Sequence, residues 1–330
     1  MYGTGPTKVM NEARTLSRQN QDFVYSVPMK MKINGTEQIG YNVFSDKGAG
    51  TNALGIETTL STYSFSQAPD DKFVILKSSL HNKASLDITG LYAGYYIDWD
   101  IPESGYSEDM TYFDSNNKIA IAYNNNDKTA PYTGAALISD GGYGYYPIEN
   151  SATSGSVALN DGNGFTDAEK WYALSNGIGK TSAGVGDISL VISGGPYNIP
   201  ADQSVDVAFA IAAAPTLQEV IGAINESKIK YQSIINNPPG EIPVSYELYQ
   251  NYPNPFNPAT VISYQLPAAG YVSLKIYDVL GREVSTLVNE EKTPGSYKIS
   301  FKAGTLSSGV YFYKLTTGSF MQMKKMILLK

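Results

Sequence analysis

The sequence predicts a mainly β protein built from two β-sandwich domains, the second a small immunoglobulin-like sandwich, the first carrying one or two accessory helices. Three observations predict it. Short alternating apolar runs recur from about residue 35 onward, with turn residues between them. The composition suits strands, with 26 tyrosines, 31 glycines and many β-branched residues. A proline-glycine break, "NNPPGEIP" at 236–243, divides the runs into a long first series and a short second one.

Residues 1–34 read as a polar N-terminal extension, with 1–21 loosely structured. The accessory module is expected over 35–237. Its strands include "IETTLSTYSF", with Ile56, Thr58, Leu60 and Thr62 on one face, and "DKFVILKSSL", with Val74, Leu76, Ser78 and Leu80 together. "LYAGYYIDWDI", "KIAIAYN", "TGAALIS", "GDISLVISG" and "VDVAFAIAAA" continue the series, separated by turn chemistry such as "NNND" and "DGGYG". Many short strands at such spacing favour an antiparallel sandwich over a doubly wound α/β sheet.

Two helices interrupt it. "FTDAEKWYALSNG" offers Thr166 or Asp167 as N-cap, Glu169 in the first turn and Gly177 as a stop. "PTLQEVIGAINESKIKYQSIINN" sets Leu217, Val220, Ile221, Ile224, Ile229 and Ile235 near one stripe, which predicts an apolar face packed on the sandwich. The prolines and glycine of 238–243 then forbid helix and make a stiff linker.

The second domain, 244–330, alternates more strictly. Ile262, Tyr264 and Leu266 share a face, as do Val272, Leu274 and Ile276, and Tyr297, Ile299 and Phe301. Gly281, Gly295 and Gly309 stand where hairpins need a positive φ, and about seven strands result. Pro253, Pro255 and Pro258 in "YPNPFNP" cannot donate to a ladder, so they fix an extended entry and blunt the edge of the strand that follows. In the ending "FMQMKKMILLK", Met326 and Leu328 fall on one face and Ile327 and Leu329 on the other, so the strand wants cover on both sides.

Composition excludes several functions. A net charge of −7 argues against nucleic acid, which needs clustered Lys and Arg. No apolar run approaches the roughly 20 residues that span a bilayer. With no cysteine, neither disulfides nor thiolate metal sites hold the fold. The N-terminus shows no signal-peptide pattern, and the expectation is that the chain is a fragment of a longer reading frame.

The blocks "NYPNPFNPAT", "VSLKIYDVLGREV", "PGSYKISF", "LSSGVYFYKL" and "KKMILLK" resemble, in order and spacing, the type A C-terminal sorting domain of the type IX secretion system. The resemblance covers 244–330. It implies a delivery signal for export across the outer membrane to the cell surface or medium. It also implies partners: the type IX outer-membrane translocon, a sortase-like peptidase that removes the domain, and attachment of some cargo to surface lipopolysaccharide. Carried over by position, it implies recognition through Pro253, Asn254, Pro255 and Phe256, through Gly281 and Arg282, through Gly309, Val310 and Tyr311, and through Lys324 and Lys325. The economical alternative makes Gly281, Gly295 and Gly309 turn glycines, and Val310 and Phe312 core residues. Residues 35–235 more distantly resemble a non-catalytic β-rich module that precedes such domains in secreted proteins, including some subtilisin-like peptidases.

Catalysis has little to build on, so the chain is expected not to be an enzyme. A Ser-His-Asp site could only use His81, the single histidine, and no serine sits in a nucleophile elbow. Asp98 and Asp100 lie two apart on a strand, pointing to one face with Trp99 opposite, which suits a cation, a sugar hydroxyl or plain solvent. "DGNGFTDAE" offers Asp161, Asn163, Asp167 and Glu169 as oxygen ligands for calcium, the one cofactor candidate. Phe165 and Tyr172 stand where an EF-hand loop needs ligands, and the same residues also read as a turn and an N-cap. Tyr92, Tyr95, Tyr96, Tyr143, Tyr145, Tyr146 and Trp99 leave open a binding module for carbohydrate or protein.

Overall fold

A computed structural model of the protein describes residues 1–11, 22–101, 103–236, 243, 245–292 and 294–330. It is mainly β and separates into two compact units, Met1–Met29 with Gly35–Asn236, and Lys30–Asn34 with Asn237–Lys330. Most of the expected linker at 238–243 lies outside the described residues.

The first unit opens with β1 (Tyr2–Gly5), β2 (Lys8–Met10), β3 (Val24–Asn34), β4 (Glu37–Ser45), β5 (Ile56–Phe65), β6 (Phe73–Asn82) and β7 (Ile88–Trp99). It continues with β8 (Asp109–Asp114), β9 (Ile119–Asn124), β10 (Tyr132–Leu137), β11 (Gly142–Glu149) and α1 (Asp167–Ser175). It closes with β12 (Ser182–Gly186), β13 (Ile188–Ile199), β14 (Ser204–Ala214) and α2 (Leu217–Asn236). A five-stranded sheet, β11-β13-β7-β1-β2, faces a nine-stranded one, β12-β8-β9-β10-β14-β6-β5-β4-β3. Leu91, Leu190 and Ile192 from the first meet Leu80, Phe113, Val207 and Phe209 from the second in one core.

Each helix covers an outer face. Phe165, Ala173 and Leu174 bury Val191, Ile148 and Val9 on the back of the five-stranded sheet. On the other sheet, Phe209 turns inward, while its alternates Ala208, Ala210 and Ala212 are buried outward. Gly134 and Ala136 pair with Ala212 and Ala210, so the outer face there is a floor of small residues. A Cβ on Gly134 would stand 2.5 Å from Val220 Cγ1, which shows how closely α2 approaches.

Two expectations need correction. The N-terminal extension is not loose where it is described: β1 pairs with β7 through Tyr2↔Ala93, the Met1 ammonium donates to the Gly94 carbonyl at 3.0 Å, and Tyr2 and Met10 enter the core. β1 and β2, of four and three residues, are too short to show a period, and β3, eleven residues long beside β4 at the sheet edge, also falls within 1–34 but is mostly exposed and shows no buried apolar face. Residues 12–21 lie outside the described residues. The buried stripe of α2 keeps Val220 and Ile224 of the expected set but runs on through Ala223, Ser227, Tyr231 and Ile234 in place of Leu217, Ile221, Ile229 and Ile235. Ile229 is 65% exposed, because the 3.6-residue repeat carries the contact face through small and tyrosyl positions instead.

The second unit is a seven-stranded sandwich: β15 (Glu247–Leu248), β16 (Ala259–Leu266), β17 (Gly270–Tyr277), β18 (Glu283–Lys292), β19 (Gly295–Lys302), β20 (Gly309–Thr317) and β21 (Phe320–Leu328). The sheets are β15-β16-β19 and β18-β17-β20-β21. Their inner faces bury Ile262, Tyr264 and Leu266 against Val272, Leu274 and Ile276, as alternation predicts. Gly281 and Gly295 do take positive φ, 77° and 151°. Gly309 does not: it begins β20 in extended backbone with open space at its Cβ position. The inward residues of β20 are Tyr311, Tyr313 and Leu315, so Val310 and Phe312 face out and are not core.

Candidate functional site

β21 pairs on one side with β20 in unbroken register, from Gly309↔Leu328 to Thr317↔Phe320. Its other side is the edge of the sheet, where N–H and C=O groups need partners. The proline-rich segment supplies them. Asn254 Oδ1 accepts the Ile327 N–H at 2.9 Å. The Phe256 N–H donates to the Ile327 carbonyl at 2.9 Å, and the Leu329 N–H donates to the Phe256 carbonyl at 3.0 Å. Gln250 Nε2 donates to the Lys325 carbonyl, and Gln322 Oε1 accepts the Leu248 N–H. Prolines at 253, 255 and 258 lack donors, so the segment can lie against this edge without orphaned N–H groups of its own.

A second network holds the segment from inside. Asn251, fully buried, donates its backbone N–H to the Tyr313 hydroxyl at 2.8 Å, and that hydroxyl donates to the Tyr249 carbonyl. Burial pushes the Tyr313 phenol up to about 12 against the pull of the Asn251 N–H, so it stays a donor at neutral pH. Asn251 Nδ2 donates to the Pro253 carbonyl and to Thr260 Oγ1, and Thr260 Oγ1 donates to the same carbonyl. Sequence reasoning missed Asn251, Thr260 and Tyr313. They lie inside the motif blocks, but buried polar partners leave no periodic trace in a sequence.

The carried-over residues thus divide. Pro253, Asn254, Pro255 and Phe256 come together with the terminal strand, and the Phe256 ring is buried 6.0 Å from that of Phe301. Lys324 lies opposite Tyr313, half-buried on the Met326 side, while Lys325 faces out. Tyr311 is buried and donates its hydroxyl to the Ser307 carbonyl. Gly281 and Arg282 belong to the β17–β18 turn. There Asp278 Oδ1 accepts the Leu280 and Arg282 N–H groups, and Arg282 Nε donates to Asp278 Oδ2 at 2.7 Å. Burial raises the Asp278 pKa, but these hydrogen bonds outweigh it and hold the carboxyl below its usual range.

The candidates in the first unit are placed otherwise. Glu169 completes a capping box: Oε2 accepts the Thr166 N–H at 2.9 Å and the Thr166 hydroxyl at 2.7 Å, and Oε1 accepts the Ala158 N–H. Asp161 closes an Asx turn on Asn163, and Asp167 pairs with the buried Lys170 ammonium at 3.5 Å. Among the described residues no three acidic or histidine side chains gather as metal ligands, so the calcium cage expected at Asp161, Asn163, Asp167 and Glu169 is not assembled. Its oxygens are already used by the helix cap and the turn.

His81 Nε2 lies 3.1 Å from the exposed Asp202 carboxylate, an open ion-pair geometry at the sheet rim. Asp98 and Asp100 are exposed, and Asp98 Oδ1 accepts from Asn150 Nδ2 and Ser189 Oγ. Several of the tyrosines singled out in the sequence are in ring contact with other aromatic residues. Tyr145 stacks on Phe113, Tyr95 meets Phe209 edge-on, Tyr92 meets Trp171, and Tyr146 meets Tyr172. A groove of about 710 Å³ does open beside α2, where Lys77, Asp140, Tyr197, Asp206 and Gln232 contribute polar groups.

Residues 250–329 match the family model of the secretion system C-terminal sorting domain. No match to a curated protein was found. Among solved structures, a polysaccharide lyase is similar at 7% identity and a TM-score of 0.32, over 92% of this chain and 40% of that one. The chain thus spans less than half the length of that protein. No helix among the described residues is long and apolar enough to cross a membrane.

Proposed function

We propose that the second unit hands the protein to the type IX outer-membrane translocon and that the first unit is a non-catalytic accessory module carried with it. The premise is that residues 250–329 are a sorting domain, which makes this an exported protein of the cell surface or medium. In this reading a sortase-like peptidase removes the sorting domain, and the rest is released or joined to surface lipopolysaccharide.

The observation that carries the reading is the union of the proline-rich segment with the terminal strand. Asn254 and Ile327 are 73 residues apart yet share a hydrogen bond, so the motif blocks at both ends of the domain form one folded feature. The non-catalytic reading of the first unit is supported by its single histidine, engaged with an exposed aspartate, and by carboxylates committed to caps and turns.

The test is export. The full chain, placed behind a periplasmic signal peptide in a bacterium with this secretion system, is expected at the surface or in the medium, and in the periplasm when Lys324–Lys330 is deleted. Periplasmic retention of the intact, folded chain would reject the proposal.

The groove beside α2 favours one further reading of the first unit, as a module that binds a polar ligand such as a glycan. Its lining mixes Tyr197, Tyr231 and Ile235 with Asp140, Gln232 and the Lys77–Asp206 pair at 2.8 Å, a combination that suits the apolar faces and the hydroxyls of a sugar. Glycan-array binding that is lost in Asp140→Ala/Gln232→Ala supports it, and an array without signal dismisses it.

A further inference from the structure

In the sorting domain several signature residues are consumed by the fold. Phe256, Met326 and Leu328 are buried in the core, and Asn254 spends its side-chain oxygen on Ile327. A partner must therefore read what remains at the surface.

One region of exposed apolar area adjoins a cleft. At the β17–β18 turn, Val279 is 66% and Leu280 74% exposed, and on β21 Met323 is 52% exposed. These are not scattered. The turn lies beside the outer face of β20 and β21, leaving a cleft of about 300 Å³ lined by Tyr277, Asp278, Val279, Phe312, Lys314 and Met323. The volume suits a single large side chain rather than an extended ligand.

The rim is positive. Asp278 is part of the cleft wall, but its side chain is only 14% exposed and its oxygens are taken by the Leu280 and Arg282 N–H groups and by Arg282 Nε, while the Arg282 side chain beside it is 73% exposed. Lys314 lies over the Tyr277 ring at 5.0 Å beside the cleft. Residues 244–330 carry nine Lys and Arg against five Asp and Glu, whereas residues 1–243 carry fifteen against twenty-six. Charge complementarity thus calls for an anionic occupant with an apolar knob.

We infer that this cleft is the docking face of the sorting domain, and that its occupant is a protein of the export machinery presenting an apolar side chain beside a carboxylate. The inference rests on the sorting function proposed above and adds where the domain is held and by what chemistry. A concave, side-chain-sized cleft fits a protein knob better than a bilayer. A second copy would bring one positive rim against another.

The experiment uses the full chain behind a signal peptide in the exporting bacterium. Val279→Asp/Leu280→Asp is expected to cut the exported fraction about tenfold, as loss of a central apolar anchor does. Its melting temperature should stay within about 2 °C of the parent, because both side chains are solvent-facing. Val279→Ser/Leu280→Ser serves as the milder variant should the aspartates disturb the turn, and Lys314→Glu should also lower export. A photo-crosslinking residue at position 323 is expected to capture a protein other than this one. Undiminished export of the double variants, or crosslinks confined to lipid or to a second copy, overturns the inference while leaving the sorting function intact. Retention of the parent chain overturns both.

Discussion

Asn254 Oδ1 takes the backbone N–H of Ile327 at 2.9 Å, so a side chain from the proline-rich entry completes the edge of the last strand. Two prolines flank Asn254, and a backbone ladder there would lack donors. The amide side chain replaces one missing rung, and Phe256 supplies the next two. The two motif blocks, 73 residues apart in sequence, thus meet in one folded feature.

Asn254→Ala should orphan the Ile327 N–H and cost about 1–2 kcal/mol. Phe256→Ala empties a core position and should cost about 3–5 kcal/mol. Hydrogen exchange at the Ile327 and Leu329 amides is the local readout, expected to quicken in both variants more than at the Leu274 amide. Unchanged exchange at Ile327 in Asn254→Ala would show that the bond contributes nothing.

Two glycines make opposite predictions. Gly134→Ala places a methyl 2.5 Å from Val220 Cγ1 beneath α2 and should destabilise the first unit by about 1–3 kcal/mol in urea unfolding. Gly309 has extended backbone and open space at its Cβ position, so Gly309→Ala should leave stability within about 0.5 kcal/mol. If Gly309→Ala nonetheless blocks export, Gly309 is read by a partner rather than required by the fold.

Glu169 holds three hydrogen atoms at the start of α1, from the Ala158 and Thr166 amides and the Thr166 hydroxyl. Glu169→Ala should cost about 1–3 kcal/mol, and calcium or a chelator should leave the melting temperature unmoved in the parent protein. A calcium-dependent rise would instead show that the cap opens to make a metal site.

Strict alternation makes much of the second unit legible, since β16, β17 and β20 each have one face buried and the other facing out, as Ile262, Tyr264 and Leu266 show. The motif blocks likewise identify their own neighbourhood. The first unit is less legible because helices cover both outer faces. Ile75 and Phe73 are buried on the opposite side of β6 from Leu80, which erases the period-two signal along that strand. The floor under α2 is alanine and glycine, residues too small to mark a buried face in a sequence pattern. The stripe of α2 is hidden for the matching reason, since aliphatic residues such as Ile229 outweigh Ala223 and Ser227 in any reading of apolar periodicity. Asn251 and Tyr313 escape because a buried polar pair leaves no periodic trace; only spatial closeness shows it.

Asp109 should make the stability of the first unit fall as the pH rises through the mildly acidic range. It is fully buried at the start of β8, where its carboxylate accepts the Ile101 N–H at 2.8 Å and Asn124 Nδ2 at 2.9 Å. Burial pushes its pKa up to about 6; those two hydrogen bonds pull against the shift, and the charges of Asp100 and Asp187 add to it. Unfolded, the same carboxyl titrates near 3.9. Between these values the folded state holds a proton that the unfolded state has released. Stability from this group is therefore complete below about pH 4 and is lost as pH climbs through about 6, an effect on the order of 2–3 kcal/mol. Other carboxylates, such as Asp114, are held low by their hydrogen bonds and slope the opposite way, so the measurement is a difference. Urea midpoints of the parent and of Asp109→Asn, taken from pH 4 to 7, should show the variant gaining on the parent as pH rises. Parallel curves would mean that Asp109 ionises in the folded protein as readily as in the unfolded chain.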